Sequence, residues 1–161
     1  MAVFDYFLKI DGIQGESPDV KHKGEIELES FFWGETNPVI PIGGGGGGGV
    51  GKVQVEDLHV VMKMSKASPL LFLACAGGQH IKQAILTARR ALKAQQEFLV
   101  YKLTDVLVAS YHTTASTDSV PIDQVAFNFA KVQLEYRSQK PDGSLDAPVK
   151  AGWDLKENKK I

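Results

Sequence analysis

Residues 120–137 read VPIDQVAFNFAKVQLEYR. Val125, Phe127 and Phe129 share one parity, while Val132, Leu134 and Tyr136 share the other. Apolar side chains at alternate positions mark a strand, and this one is long. The slip between the two apolar sets, at Ala130-Lys131, predicts a bulge that bends it. A second long strand, Glu97 to Tyr111, precedes it across a Ser/Thr/Asp loop. Long bent strands suit a barrel or a folded-over sandwich better than a flat sheet.

The remainder of the chain is compatible with that frame. Phe4, Tyr6, Leu8 and Ile10 alternate around Asp5 and Lys9, and Asp11-Gly12 supplies a turn. From Glu25 to Trp33, Ile26, Leu28 and Ser30 lie on one face and Glu25, Glu27 and Glu29 on the other. Phe31-Phe32-Trp33 then make both faces apolar, which reads as core, as an interface anchor or as a ligand wall. Lys52 to Lys66 alternates again, with a parity change at Glu56-Asp57 that predicts a bulge or turn. One helix is signalled, over about 68–77. Ser68 is placed to cap it, Pro69 occupies the first helical position and Gly77-Gly78 ends it. Leu70 to Ala76 is apolar on most sides, which predicts burial against a sheet. Ile81 to Ala91 leans to helix on its alanines. Between about 34 and 51, Pro38, Pro41 and the seven glycines Gly43 to Gly49 make a long extended loop. With no repeat and no linker, the expectation is one mainly β domain over 1–161.

Composition narrows the function. Eighteen Lys and Arg against nineteen Asp and Glu leave a net charge of -1, which argues against a nucleic-acid partner. The single cysteine, Cys75, has no internal disulfide partner. The start, Met1 to Tyr6, lacks a basic region followed by an apolar run, so no cleaved signal peptide is expected. The longest apolar run, Leu70 to Ala76, is far short of the roughly 20 residues that cross a bilayer, so no membrane insertion is expected. Synthesis in the cytoplasm is the starting expectation, with a leaderless export route open.

No catalytic pattern survives inspection. Gly46 to Lys52 matches the glycine-lysine phosphate loop, but Val53 stands where a Mg²⁺-binding hydroxyl belongs and a strand follows instead of a helix. His22, His59, His80 and His112 show no metal-ligand spacing. Cys75 lies inside an apolar helix, where a thiol behaves as a small hydrophobe. The expectation is therefore no catalytic, cofactor-binding or metal residues and no enzyme.

A set of pieces in order carries a resemblance: Phe7-Leu8-Lys9-Ile10, Gly15-Glu16-Ser17 with His22 and Glu25-Ile26, and Phe32-Trp33-Gly34 with its glycine loop. Ser65 to Gly78, Phe127 to Tyr136 and Gly152-Trp153 complete it. The chain resembles the haemolysin-coregulated protein (Hcp) family of bacterial type VI secretion. The resemblance implies a compact β-barrel of two antiparallel sheets with one short helix, and it makes Ile81 to Ala91 a strand. It implies a homohexameric ring, rings stacked into a hollow tube inside a contractile sheath, and a spike (VgrG-type) protein at the tip. It further implies secretion, with effector proteins carried in the lumen. Phe32, Trp33, Pro38, Val39, Ile40, Pro41, Ile42, Gly43, Gly46 and Gly49 become candidate subunit or ring contacts. Two other readings stand beside it. One is a monomeric β-barrel binding a small molecule, with Phe31 to Trp33 at its mouth; the other is a hydrolase pairing Cys75 with a histidine.

Overall fold

The structure is a computed structural model, and it describes residues 3–38, 51–91 and 94–161. In chain order the elements are β1 (Phe4–Ile10), β2 (Ile26–Leu28), β3 (Ser30–Phe32), β4 (Glu35–Thr36), β5 (Gln54–Val55), β6 (Leu58–Lys63), α1 (Ser68–Gly77), β7 (Ile81–Arg90), β8 (Glu97–Ser116), β9 (Ser119–Tyr136), β10 (Val149–Asp154) and β11 (Lys159–Lys160). All pairings are antiparallel. The large sheet runs β11-β10-β9-β8-β7-β1-β2, with β6 joining β9 and β3 joining β6, while β4 and β5 form a separate small sheet. The mainly β fold with two antiparallel sheets and one short helix is as expected. The large sheet folds round its core, and among the described residues no continuous ladder closes it.

The stretch 120–137 is the spine. β9 pairs with β8 along one edge; along the other it pairs with β6 up to Phe127 and with β10 from Lys131 onward. The expected bulge at Ala130-Lys131 is absent. The β8–β9 register is unshifted between Thr104↔Lys131 and Val106↔Phe129, and the parity slip instead marks where β9 exchanges β6 for β10. Register shifts lie elsewhere, between Val108 and Ser110 and between Thr114 and Ser116. Asp105, with φ +54°, distorts β8 between Thr104 and Val106.

The run from Glu25 to Trp33 divides at Glu29. Its N–H donates to the Val61 carbonyl at 2.8 Å, although Ser30 is the register partner of Val61. Two residues facing one is the arithmetic of a β-bulge, which changes side-chain parity. Ile26 and Leu28 point inward before it; Phe31 and Trp33 pack on the core after it, while Ser30 and Phe32 are exposed. The parity change at Glu56-Asp57 likewise separates β5 from β6.

β7 is a strand, although its alanines lean to helix. It is paired with β1 on one side and β8 on the other, and Leu86, Thr87, Ala88 and Arg89 are buried in succession. Burial of both faces removes the period-two signal, and the two ladders outweigh propensities of a few tenths of a kcal/mol per residue. The core these strands enclose contains Leu8, Ile26, Leu58, Met62, Leu86, Leu103, Val106, Val125 and Phe127. Each large side chain so buried contributes about 1.5–3 kcal/mol.

α1 departs from expectation at two points. Ser68 does not cap it: the cap residue is Ala67, with no side-chain cap bond. The Ser68 hydroxyl donates instead to the buried Asp123 carboxylate at 2.5 Å and accepts the Ser65 N–H. Nor is the helix buried on most sides. Leu71 and Ala74 pack inward, whereas Leu70, Phe72 and Leu73 are exposed. Its end is as expected: Gly78 takes φ +63° and returns its N–H to Ala74.

Candidate functional site

The first candidate surface lies around the long loop. Phe32 is exposed on β3 and leans on the His59 ring of β6 at 6.2 Å. Trp33 is half-buried and spoken for within its own chain. Its Nε1–H donates to the Glu56 carbonyl at 2.9 Å, and its ring meets Tyr101 edge-on at 5.8 Å. Phe31 is wedged between Tyr6 and Tyr101, so it forms core wall. Burial among these rings pushes the Tyr101 hydroxyl above its ordinary pKa.

Below the loop, β4 and β5 pair Glu35 with Val55 and Thr36 with Gln54 to make a neck. Pro38 is exposed at its end, and a Cβ on Gly51 would lie 2.6 Å from the Pro38 carbonyl oxygen. Only glycine permits that approach. Val39, Ile40, Pro41, Ile42, Gly43, Gly46 and Gly49 lie outside the described residues. Beside the neck, a groove of about 640 Å³ is lined by Trp33, Thr36, Val53, Leu134 and Trp153. The Trp153 Nε1–H is buried there and has no hydrogen-bond partner among the described residues.

A second apolar surface was missed at the sequence level. Phe72 and Leu73 are each 60% exposed on α1, and Phe72 touches Tyr111 of β8 edge-on at 6.4 Å. The signal was present: a helix apolar all round must cover its outer face with something. Cys75 is half-buried against the core, and no hydrogen bond joins it to a histidine among the described residues. His59, His80 and His112 are exposed.

The third feature is an ion-pair cluster around Phe7. Arg89 of β7 is buried; its Nε donates to Asp5 at 3.1 Å, and its two terminal nitrogens grip Asp19 at 3.0 and 2.5 Å. Its guanidinium also lies 4.8 Å from the Phe7 ring centroid. The Arg89 hydrogen bonds, with the Lys21 and His22 backbone N–H groups, lower the Asp19 pKa to about 2 against the cost of burial. Reciprocally, Asp19 and then Asp5 raise that of Arg89. On the same ring, His22 stacks at 4.2 Å and 7°. These contacts hold the irregular segment between β1 and β2, and beside it opens an acidic cleft of about 750 Å³ lined by Asp5, Glu16, Glu27 and Glu29 with exposed Met64 and Val120.

Fold and surfaces together define a small antiparallel β protein with a docked helix, a two-stranded neck and apolar side chains left open on the helix and on β3. Residues 7–136 match the family described as "Type VI secretion system effector, Hcp". The protein hcp1 of Pseudomonas aeruginosa is 42% identical over 161 residues, covering 98% of each chain. The crystal structure of Hcp1 from Salmonella typhimurium is 38% identical with a TM-score of 0.81, covering 99% of this chain and all of that one. A structure described as a type six secretion system protein has a TM-score of 0.93 at 33% identity, covering 98% and 99% of the two chains. The chain belongs to the Hcp family and is a type VI secretion protein.

Proposed function

We propose that this chain is the subunit of a type VI secretion inner tube: a homohexameric ring that stacks on copies of itself, carries small effector proteins in its lumen and is itself secreted. The spike protein and the contractile sheath are its further partners, and its role is structural, with no catalytic step. The observation that carries the reading is the end-to-end match to an Hcp protein, over 98% of both chains. Exposed apolar side chains support it. Phe32, Phe72 and Leu73 cost free energy in water and gain it when a neighbouring subunit covers them. A net charge of -1 suits self-assembly, because like subunits repel little. Head-to-tail contacts close into rings when the rotation permits and propagate axially by the same logic.

Within this reading, the loop from Trp33 through Pro38 to Gly49 docks on the adjacent ring, with Val39, Ile40, Pro41 and Ile42 as its apolar contacts. Negative-stain electron microscopy with light scattering tests the assembly. Six-fold rings with a central hole are expected; a uniform monomer at high concentration overturns it and favours the ligand-binding barrel. Deleting residues 39–42 is expected to leave rings intact and abolish their stacking, and unchanged stacking refutes the loop's role.

A further inference from the structure

The arrangement of His22 has no part in tube assembly as proposed, and its chemistry is unusual. Its side chain is 7% exposed. Nδ1 lies 2.8 Å from Glu25 Oε2 and Nε2 lies 2.7 Å from Glu97 Oε1. Ionised carboxylates only accept hydrogen bonds, so both contacts are hydrogen bonds only when each ring nitrogen bears a proton. Asp19 accepts the His22 backbone N–H. The buried cation on the same Phe7 ring, Arg89 of β7, is already engaged by Asp5 and Asp19. Lys21 and Lys23, the chain neighbours of His22, are exposed. The His22 ring thus stands between Glu25, ahead of β2, and Glu97, at the start of β8, whose side chain is 41% exposed.

We propose that His22 is a proton-operated latch: as an imidazolium it ties the segment between β1 and β2 to β8, and loss of one proton releases that segment. Glu25 and His22 both belong to the segment, so Glu97 is the tie to the rest of the fold, 75 positions away in sequence. With a neutral ring, one carboxylate loses its donor and faces a lone pair, at a site where water reaches the ring poorly. The segment is otherwise tied to the fold by the stack of His22 on Phe7, by the Arg89 grip on Asp19 and by the Lys66 N–H on Glu16, and is braced internally by backbone bonds from Gly24 to Ser17 at 2.8 Å and from Ser17 to Glu25 at 3.0 Å. Opening therefore moves the wall of the acidic cleft that contains Ser17, Pro18, Asp19 and Val20. The device would couple the shape of that cleft to pH, whichever partner the cleft meets.

Two measurements on the full chain test it. The first is imidazole nitrogen NMR at pH about 7, where a free histidine is mostly neutral. Two protonated ring nitrogens on His22 are expected; one bare nitrogen overturns the latch. The second is limited trypsin cleavage after Lys21 and Lys23, normalised to an unstructured peptide to remove the protease's own pH response. Cleavage of the wild type is expected to quicken with rising pH by up to about tenfold per unit, the limit for opening that follows loss of one proton. In His22→Gln, which keeps a donor but does not titrate, the normalised rate is expected to be flat. Glu97→Gln keeps the fold's shape with a neutral acceptor, and its wild-type-like His22 ring should show a smaller pH response. A normalised wild-type rate as flat as that of His22→Gln refutes the proposal.

Discussion

Replacing Arg89 by methionine keeps the aliphatic stem and removes the charge. Breaking a fully buried ion pair on one side costs about 3–5 kcal/mol, because the partner is left uncompensated. Here the abandoned Asp5 and Asp19 side chains retain 29% and 19% exposure, so water recovers part of that loss. About 2–3 kcal/mol remains after this discount, and losing the guanidinium over Phe7 adds about 1 kcal/mol. The total of about 3–4 kcal/mol is a large share of the 5–15 kcal/mol that stabilises an ordinary domain. At this chain length it corresponds to a fall in Tm of about 6–15 °C.

Thermal unfolding followed by circular dichroism measures the loss, with oligomeric state held constant because assembly would mask it. The double variant Arg89→Met/Asp19→Asn should recover part of the loss by removing one unpaired charge. A loss below about 1 kcal/mol for Arg89→Met would mean the network is ornamental and the reasoning wrong. The same pair sets an acid limit. Asp19 is lowered from 3.8 to about 2, so its contribution is present above 3.8 and is lost as pH falls toward 2. That gap is worth at most about 2.4 kcal/mol, and solvent screening of a partly exposed side chain reduces it to about 1–2 kcal/mol. The Asp19→Asn variant should lose this acid dependence.

Three further outcomes are expected. Gly15→Ala would place a Cβ 2.6 Å from the Glu25 carbonyl oxygen and 2.8 Å from Ile26 Cα, both backbone atoms; the forced shift should cost about 1–3 kcal/mol by urea unfolding, and an unchanged midpoint would show the turn is slack. Ser68→Ala removes a hydrogen bond to the buried Asp123 rather than a helix cap, so its cost should be about 1.5–3 kcal/mol. In a double-mutant cycle with Asp123→Asn that cost should couple by more than about 1 kcal/mol, whereas additivity would return Ser68 to a purely local role. The Cys75 thiol, half-buried on the inner side of α1, should react slowly with a thiol reagent in native protein and rapidly after denaturation; rapid native labelling would place it on an accessible face.

The legible parts of the fold were those written in local chemistry. Alternation in Phe4–Ile10 and in 120–137 identified strands, and Pro69 with Gly77-Gly78 bounded the helix, because dihedral preferences act within a few residues. Where two faces were covered, as along Leu86 to Arg89, alternation vanished and the alanines pointed to the wrong element. The bulge at Glu29 was equally hidden. It turns Phe31 inward and Phe32 outward, which no spacing in Phe31-Phe32-Trp33 could announce. Of the candidate contacts, Phe32 is open on the surface, whereas Trp33 is bonded to its own chain.

By itself the sequence determined the class of the protein: mainly β, with one short helix, a glycine loop and an ordered set of pieces shared with one family. Those properties depend on residue type and short spacing, which a linear string records. Tertiary structure alone decided which apolar groups remain uncovered and which charges meet. Arg89 finds Asp5 and Asp19 across 84 and 70 positions, and His22 finds Glu97 across 75. Such pairs arise because β1, β7 and β8 are laid side by side, and once they are, a charge shut away from water must be matched by whichever groups the fold brings within reach.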